Sequence, residues 1–365
     1  MDSIEIICAH VLDTEHADLS DEAVRWSRIF LLDSLGVGVS GSSGPWVDAL
    51  ARSQASAHLA ERTAGARVLG SDQRLSAQGA ALLNAYQIHN AEYDCVHEGA
   101  VVHPMAVLLG ATLAAIDDGA LFAQPVDGRS LLSAVALGVD VAATLGLAAR
   151  SGLRFFRPAT AGAFAATAAI GRLAGFDRPT LVSAMGISLS QLCGTMQAHS
   201  EGSPLLAMQV GFNARNAVLA CELARAGVPG PGAVLDGPYA YFELFEAEHD
   251  YADLLQQLGH CWRITEVAHK PFPSGRATHG IVDACLEIGA HHDLRSVAIE
   301  RVVARVPPLT RRLVGRPVKP DMAVNYARLC AQYVVARVLQ RGELDLSDFS
   351  IEALRDEATL ALAQR

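Results

Sequence analysis

Between Glu92 and Pro104 the chain gathers Glu92, Asp94 and Glu98 together with His97 and His103. Imidazoles and carboxylates are the usual proton carriers, and partial burial moves their pKa values toward working pH. A helix-forming run from Gln78 to Asn90 leads in, and an apolar run from Met105 to Ile116 leads out. The polar residues therefore occupy a connection between two buried helices. The bland alternative is a polar loop whose histidines cap helix ends. A second dense segment, His269 to Asp283, carries Lys270, Arg276 and His279 close to a helix start at Ser274-Gly275. Positive charge there opposes the helix dipole unless an anion binds, so the segment reads as an anion site. Arg157 precedes another helix start and is a weaker candidate of the same kind, a surface arginine at a turn being the alternative. Cys193 to Pro204 forms a third polar loop between apolar helices, with Gln197 and His199 in it.

Together these groups suit one kind of chemistry. Removing water or carbon dioxide from a polycarboxylate, or inverting a carbon beside a carboxylate, needs a base at that carbon and cations that hold the growing charge. The base comes from Asp94 or His103, with His97 in reserve; the anion holders are Lys270, Arg276, His279 and Arg157. Asp94, His97 and His103 are expected to face Lys270, Arg276 and His279 across one cleft. A metal hydrolase built on His97, His103 and Asp94 is the weaker reading, because His-x5-His does not match the i, i+4 spacing of one helix face.

The composition narrows the classes of function. The chain has 365 residues, 51% hydrophobic and 19% charged, enough for an ample core and about two domains. A net charge of -10 argues against nucleic acid or an anionic membrane as partner. The start Met1-Asp2-Ser3-Ile4-Glu5 lacks a basic head and apolar run, which predicts a cytoplasmic protein. Seven scattered cysteines without a Cys-x-x-Cys pair predict reduced thiols, with neither zinc site nor disulfide framework. Leu131 to Ala149 is interrupted by Asp140, which suits a helix buried in protein better than one in lipid.

Helical periodicity places helices over residues 21–35, 76–90, 105–116, from Ser130 onward, and over 162–174, 180–192 and 211–226, with Gly36 to Pro45 ending the first. From Val297 to Val306 the pattern changes to the period-two alternation of a half-buried strand. The predicted fold is mainly α: a large all-helical domain over 1–265 and a smaller α+β domain over 266–365. Apolar helices with few charges, such as 131–149, predict a homodimer through the helical domain.

Four elements in order carry a resemblance: an acidic-aromatic-acidic loop ending in His103-Pro104, the Gly194-Thr195-Met196 loop, Lys270-Pro271-Phe272-Pro273 with Ala277-Thr278-His279-Gly280 and Asp283, and a late Asn325-Tyr326-Ala327-Arg328 with Gln332-Tyr333. In this order they resemble the MmgE/PrpD family, which includes 2-methylcitrate dehydratases, cis-aconitate decarboxylases and an iminodisuccinate epimerase. The resemblance implies a helical domain, an α+β lid, a site in the cleft between them, homodimerisation, and no metal or organic cofactor. It also implies a lid represented only in part, since family chains usually continue beyond the sequence around Arg365. Asp94, His103, Lys270 and His279 match the family's site motifs, and Tyr326 lies near its late site-facing segment. The chain departs from the pattern at Glu92-Tyr93-Asp94-Cys95, at Arg157, where His-Pro is common, and at Leu206, where a lysine often lies. The implied activity is that of a lyase, or of an isomerase or epimerase, on a small polycarboxylate; a non-catalytic relative that binds an anion or a partner chain is the alternative.

Overall fold

The computed structural model describes residues 2–55, 65–294 and 298–365. It divides into two compact units: one of Met1–Asn90, Asp94–Met196 and Leu205–His269, and a smaller one of Ala91–Tyr93, Gln197–Pro204 and Lys270–Arg365. The fold is mainly α.

The larger unit is built on four helices, Ala77–His89, Pro104–Asp118, Arg157–Leu173 and Leu205–Arg225, of which the second and the fourth each pack on all the others. Small residues set how closely they approach. At Gly110 a Cβ would lie 2.6 Å from the Ala85 Cβ, and at Gly211 it would lie 2.4 Å from the Leu82 carbonyl oxygen. Ser76 caps the first of these helices by accepting from Gly79 N, as a Ser N-cap should. Other boundaries differ from the periodicity. The helix starting at Asp21 runs through Gly36 and Gly38 to Gly41, because Gly38 and Gly41 lie against Ile88 and the Gln87 carbonyl, where any Cβ would clash. The helix expected from a Ser130 cap begins at Gly128 under Asp127, whose carboxylate accepts from Ser130 N. Among the described residues the strands form a two-stranded antiparallel ribbon, Ala66–Arg67 with Arg74–Leu75.

Gly128–Ala148 is long and apolar enough to cross a membrane, and 89% of its most apolar stretch is buried inside the protein. Asp140 in its middle is fully buried. Its carboxylate accepts from Arg263 N (2.8 Å) and meets His10 Nε2 (3.1 Å), so one side chain ties three segments together.

In the smaller unit, His279–His291 and Glu357–Ala363 pack on Ala331–Arg341 around Val282, Tyr333, Val338 and Phe349. Asp348, buried, receives Arg337 Nε at 2.8 Å and Arg341 Nη1 at 2.7 Å. The strand expected over 297–306 is not found. Val297 lies outside the described residues, and 298–306 run without regular structure or a paired neighbour, tied at Val302 N to the Arg365 carbonyl (3.2 Å). Alternation made Ile299, Val302 and Val306 half-buried, but a ladder also needs a partner edge, which periodicity cannot supply. The described part of this unit is helical, with no α+β character of its own.

Removing one partner of a buried ionic contact strands the other. Asp140→Ala is expected to lower unfolding free energy by about 3 kcal/mol, read as a reduced urea midpoint with the slope unchanged. A midpoint equal to that of the unaltered protein would show that the buried carboxylate does not bear on stability.

Candidate active site

His89 is the last residue of Ala77–His89, and His103 is the N-cap of Pro104–Asp118, the next helix in the chain and one packed against the first. Two packed neighbours joined end to start bring these residues together although fourteen positions separate them. Their rings meet edge-on at 4.9 Å. Between them stands Asp94, whose Oδ2 lies 2.8 Å from His89 Nδ1 and 3.5 Å from His103 Nδ1. His103 Nδ1 also faces the Cys95 carbonyl at 3.2 Å. A carbonyl and a carboxylate both accept, so Nδ1 of His103 carries a proton toward them. Of the three side chains His103 is the most accessible, at 13% against 0% for His89 and 1% for Asp94. Nearby, Asp33 Oδ2 is buried with no hydrogen-bond partner among the described residues. Burial foremost, and the charge of Asp94, push the Asp33 carboxyl up, while His269 opposes.

His97 has a different place from the one expected. Its Nδ1 accepts from Ala100 N (3.2 Å), its Nε2 meets Glu266 Oε2 (2.8 Å), and its backbone exchanges hydrogen bonds with Val102. With both ring nitrogens so engaged, His97 is a pin for the 97–102 turn and not a reserve base. Burial pushes Glu266 up, but the hydrogen bond from His97 and the charge of Arg263 outweigh it, so this carboxylate stays below its usual range. The turn is strained: Val101, β-branched, has φ 53°.

Arg157 is corrected outright. It is 3% exposed, and its guanidinium grips Glu246 at two points, Nε to Oε1 at 2.8 Å and Nη2 to Oε2 at 3.0 Å, with Nη1 reaching the Ala100 carbonyl at 3.3 Å. A cation neutralised bidentately by a buried acid is a strut beneath the loop, not a hand held out to a ligand. No sequence signal linked it to Glu246, 89 positions away.

The smaller unit collects the other expected residues. Lys270 Nζ donates to Glu92 Oε2 (2.9 Å) and to the Glu92 carbonyl (3.1 Å), so its charge is met within the protein. Glu92 itself holds φ 51°, the left-handed backbone that turns its carbonyl to the lysine. His279 opens its helix, which begins later than the start expected at Ser274-Gly275, and is 1% exposed. Its Nε2 donates to the Ser274 carbonyl (3.2 Å), which leaves Nδ1 as a buried lone pair with no partner among the described residues. Arg276 stands in the short helical turn before it and is half-buried. His199, 7% exposed, lies against Arg316, a residue the sequence reading did not single out. The Tyr326 hydroxyl donates to the Pro317 carbonyl (2.6 Å), and Gly202 comes so close to its ring that a Cβ there would lie 2.3 Å from Cδ2. Gln197 is exposed and donates to Glu201 within its own short helix, which makes it a rim residue at most. His89 could have been found by asking which titratable residues flank the loop at both helix ends; Arg316, between Gly315 and Pro317, has no such signal.

His89, Asp94 and His103 offer ligand atoms all within 4.8 Å of one another, a set that could hold a metal ion as readily as relay a proton. His97 takes no part in it, so the metal trio read from the sequence is corrected by this replacement. All seven cysteines are free thiols.

Burial first, then the charge of Arg316, hold His199 at about 4, and burial with the charge of Lys270 does the same for His279. Both would titrate near 6.5 in the unfolded chain. Between these values the unfolded state binds more protons, so stability is complete above about pH 6.5 and falls as pH drops toward 4. Denaturant midpoints measured across this window should fall more steeply for the unaltered protein than for His279→Gln; equal slopes would show that the imidazole is not held neutral.

Residues 5–253 match the MmgE/PrpD N-terminal domain, and residues 272–365 match the MmgE/PrpD C-terminal domain. The chain is 26% identical to the cis-aconitate decarboxylase-like protein oryM of Aspergillus oryzae, over 98% of its own length and 78% of that protein. It is 28% identical to the cis-aconitate decarboxylase of Mus musculus, over 93% of its length and 70% of the relative, and 26% identical to that of Aspergillus terreus, over 84% and 61%. With both family domains matched along nearly the whole sequence, the chain belongs to the MmgE/PrpD family.

Proposed function

We propose that the protein is a lyase acting on a small polycarboxylate, with cis-aconitate as the first candidate substrate and decarboxylation as the first candidate reaction. The observation that carries the reading is the His103–Asp94–His89 group, an accessible imidazole backed by a buried carboxylate that is itself held by a second imidazole. Such backing fixes the tautomer and stabilises the ring when it is charged. Decarboxylation breaks a carbon–carbon bond, leaves its electron pair delocalised toward the remaining carboxylates, and ends with a proton delivered to carbon. Dehydration takes a proton from the carbon beside a carboxylate and returns one to the departing hydroxide. In decarboxylation His103 enters as the imidazolium and gives the Nε2 proton to carbon, and in dehydration the neutral ring takes the proton at Nε2 and returns it to the departing hydroxide; in either case fixed positive charge must face the carboxylates.

Lys270, Arg276 and His279 are proposed to act on the same substrate as Asp94 and His103. The chemistry supports this: charge that builds on a polycarboxylate as a proton moves needs fixed cations to hold it. A homodimer is proposed as the working form, since Leu32, Val39 and Trp46 of the larger unit are 73%, 51% and 55% exposed.

The test is a screen of cis-aconitate, citrate, 2-methylcitrate, itaconate, tartrate and iminodisuccinate, following alkene absorbance, carbon dioxide release and proton exchange in heavy water. Turnover of one of these acids is expected. His103→Ala should lower kcat by about 10²–10⁴ with folding intact, and His89→Ala by less. Unaltered protein that is folded but inert toward the whole set would refute the lyase and leave a non-catalytic anion-binding relative. Metal analysis of the same sample addresses the alternative use of His89, Asp94 and His103: stoichiometric metal that activity follows would favour it. Sedimentation at micromolar concentration reads the dimer, and a monomer throughout would reject it.

A further inference from the structure

We propose that Arg316 receives a carboxylate of the substrate, and so holds the anion that Arg157 was expected to hold; the proposal rests on the polycarboxylate reading of this site. Arg316 Nη2 donates to the His199 carbonyl (3.0 Å) and touches both nitrogens of the His199 ring (3.2 and 3.4 Å). Its Nη1 is buried and has no hydrogen-bond partner among the described residues. The guanidinium carbon lies 4.9 Å from the centre of the Tyr326 ring, and Lys319 Nζ lies 4.6 Å from the same centre. Two cations on one tyrosine repel each other unless an anion joins them.

The protein shows elsewhere how it closes off a structural arginine. Arg157 has every nitrogen engaged, two of them by a buried carboxylate. Arg316 has no such acid. The carboxylate whose charge reaches it is Glu92, which is already hydrogen-bonded to Lys270. The charge of Glu92 also reaches His199 and His279, and its side chain is hydrogen-bonded to Lys270. His279 adds an independent sign of a ligand, since it is 1% exposed and its Nδ1 has no hydrogen-bond partner among the described residues. An uncompensated buried donor on a cation is costly unless a ligand completes it, and a carboxylate fits best, because a guanidinium matches its geometry. The Tyr326 ring, fixed by Pro317 and Gly202, holds the guanidinium plane in place.

The test uses the full chain with Arg316→Gln and Arg316→Lys. Binding of tricarballylate, a saturated tricarboxylate, is measured by calorimetry, and KM and kcat are measured with whichever acid the unaltered protein turns over. Loss of one charged hydrogen bond to a carboxylate corresponds to about a 10–100-fold change. Arg316→Gln should raise Kd and KM by that factor with kcat within about threefold, and Arg316→Lys should fall between, since it keeps charge but offers a single point donor. Histidine NMR supplies a readout that a packing role would not move: tricarballylate should raise the His199 pKa in the unaltered protein and not in Arg316→Gln. Turnover with Kd and KM unchanged in both variants overturns the proposal and leaves the lyase intact. Binding that depends on Arg316 without any turnover overturns the lyase and keeps the carboxylate site. Neither binding nor turnover by the unaltered protein overturns both.

Discussion

Where Gly110 meets Ala85, the helices Ala77–His89 and Pro104–Asp118 approach until no side chain beyond hydrogen fits at position 110. That approach fixes where the first helix ends relative to where the second begins, and with it the distance from His89 to His103. A bulkier residue would push the helices apart, and the two rings with them. Asp94 would then bridge a wider gap, and the proton on His103 Nδ1 would lose one of the oxygens that hold it there. The geometry of the pair is set by helix packing about one to two turns away. The strained turn at Val101, pinned by His97, completes the frame by returning the chain to the second helix.

Three cations, Arg157 and Lys270 buried and Arg316 half-buried, are held in three ways. Arg157 is sealed by Glu246, and Lys270 is met by Glu92 at the edge of a group of imidazoles. Arg316 is held by a carbonyl and an aromatic ring without an acid of its own. Burial alone does not distinguish these cases, for Arg157 and Lys270 are almost equally enclosed. What separates a strut from a ligand-holding group is whether the charge is already neutralised.

Much of this was legible in the sequence, and the remainder was lost for identifiable reasons. Helix periodicity gave the helical class, and the crowding of His and carboxylate between Glu92 and His103 marked the loop in which Asp94 meets His89 and His103. It could not give His89, because the residue belongs to a helix by pattern and joins the loop only through packing. Nor could it separate Arg157 from Arg316, since the difference lies in partners far away in sequence. The alternation over 297–306 promised a strand and delivered an extended run, because local pattern carries no information about a neighbouring edge. His97 was misread for a related reason: its residue type invites chemistry, but one nitrogen serves the turn and the other meets the distant Glu266.

The smaller unit is assembled from three separated stretches, 91–93, 197–204 and 270–365. Lys270 takes its counter-charge from the first and Tyr326 its backing from the second. During synthesis on the ribosome these two short stretches emerge long before the third, so the last stretch finds its partners already made and waiting. Such a unit cannot be moved to another protein as a cassette, because no single cut yields it whole. Its contacts are among the most distant in the chain, and closing them is a late and slow event in folding.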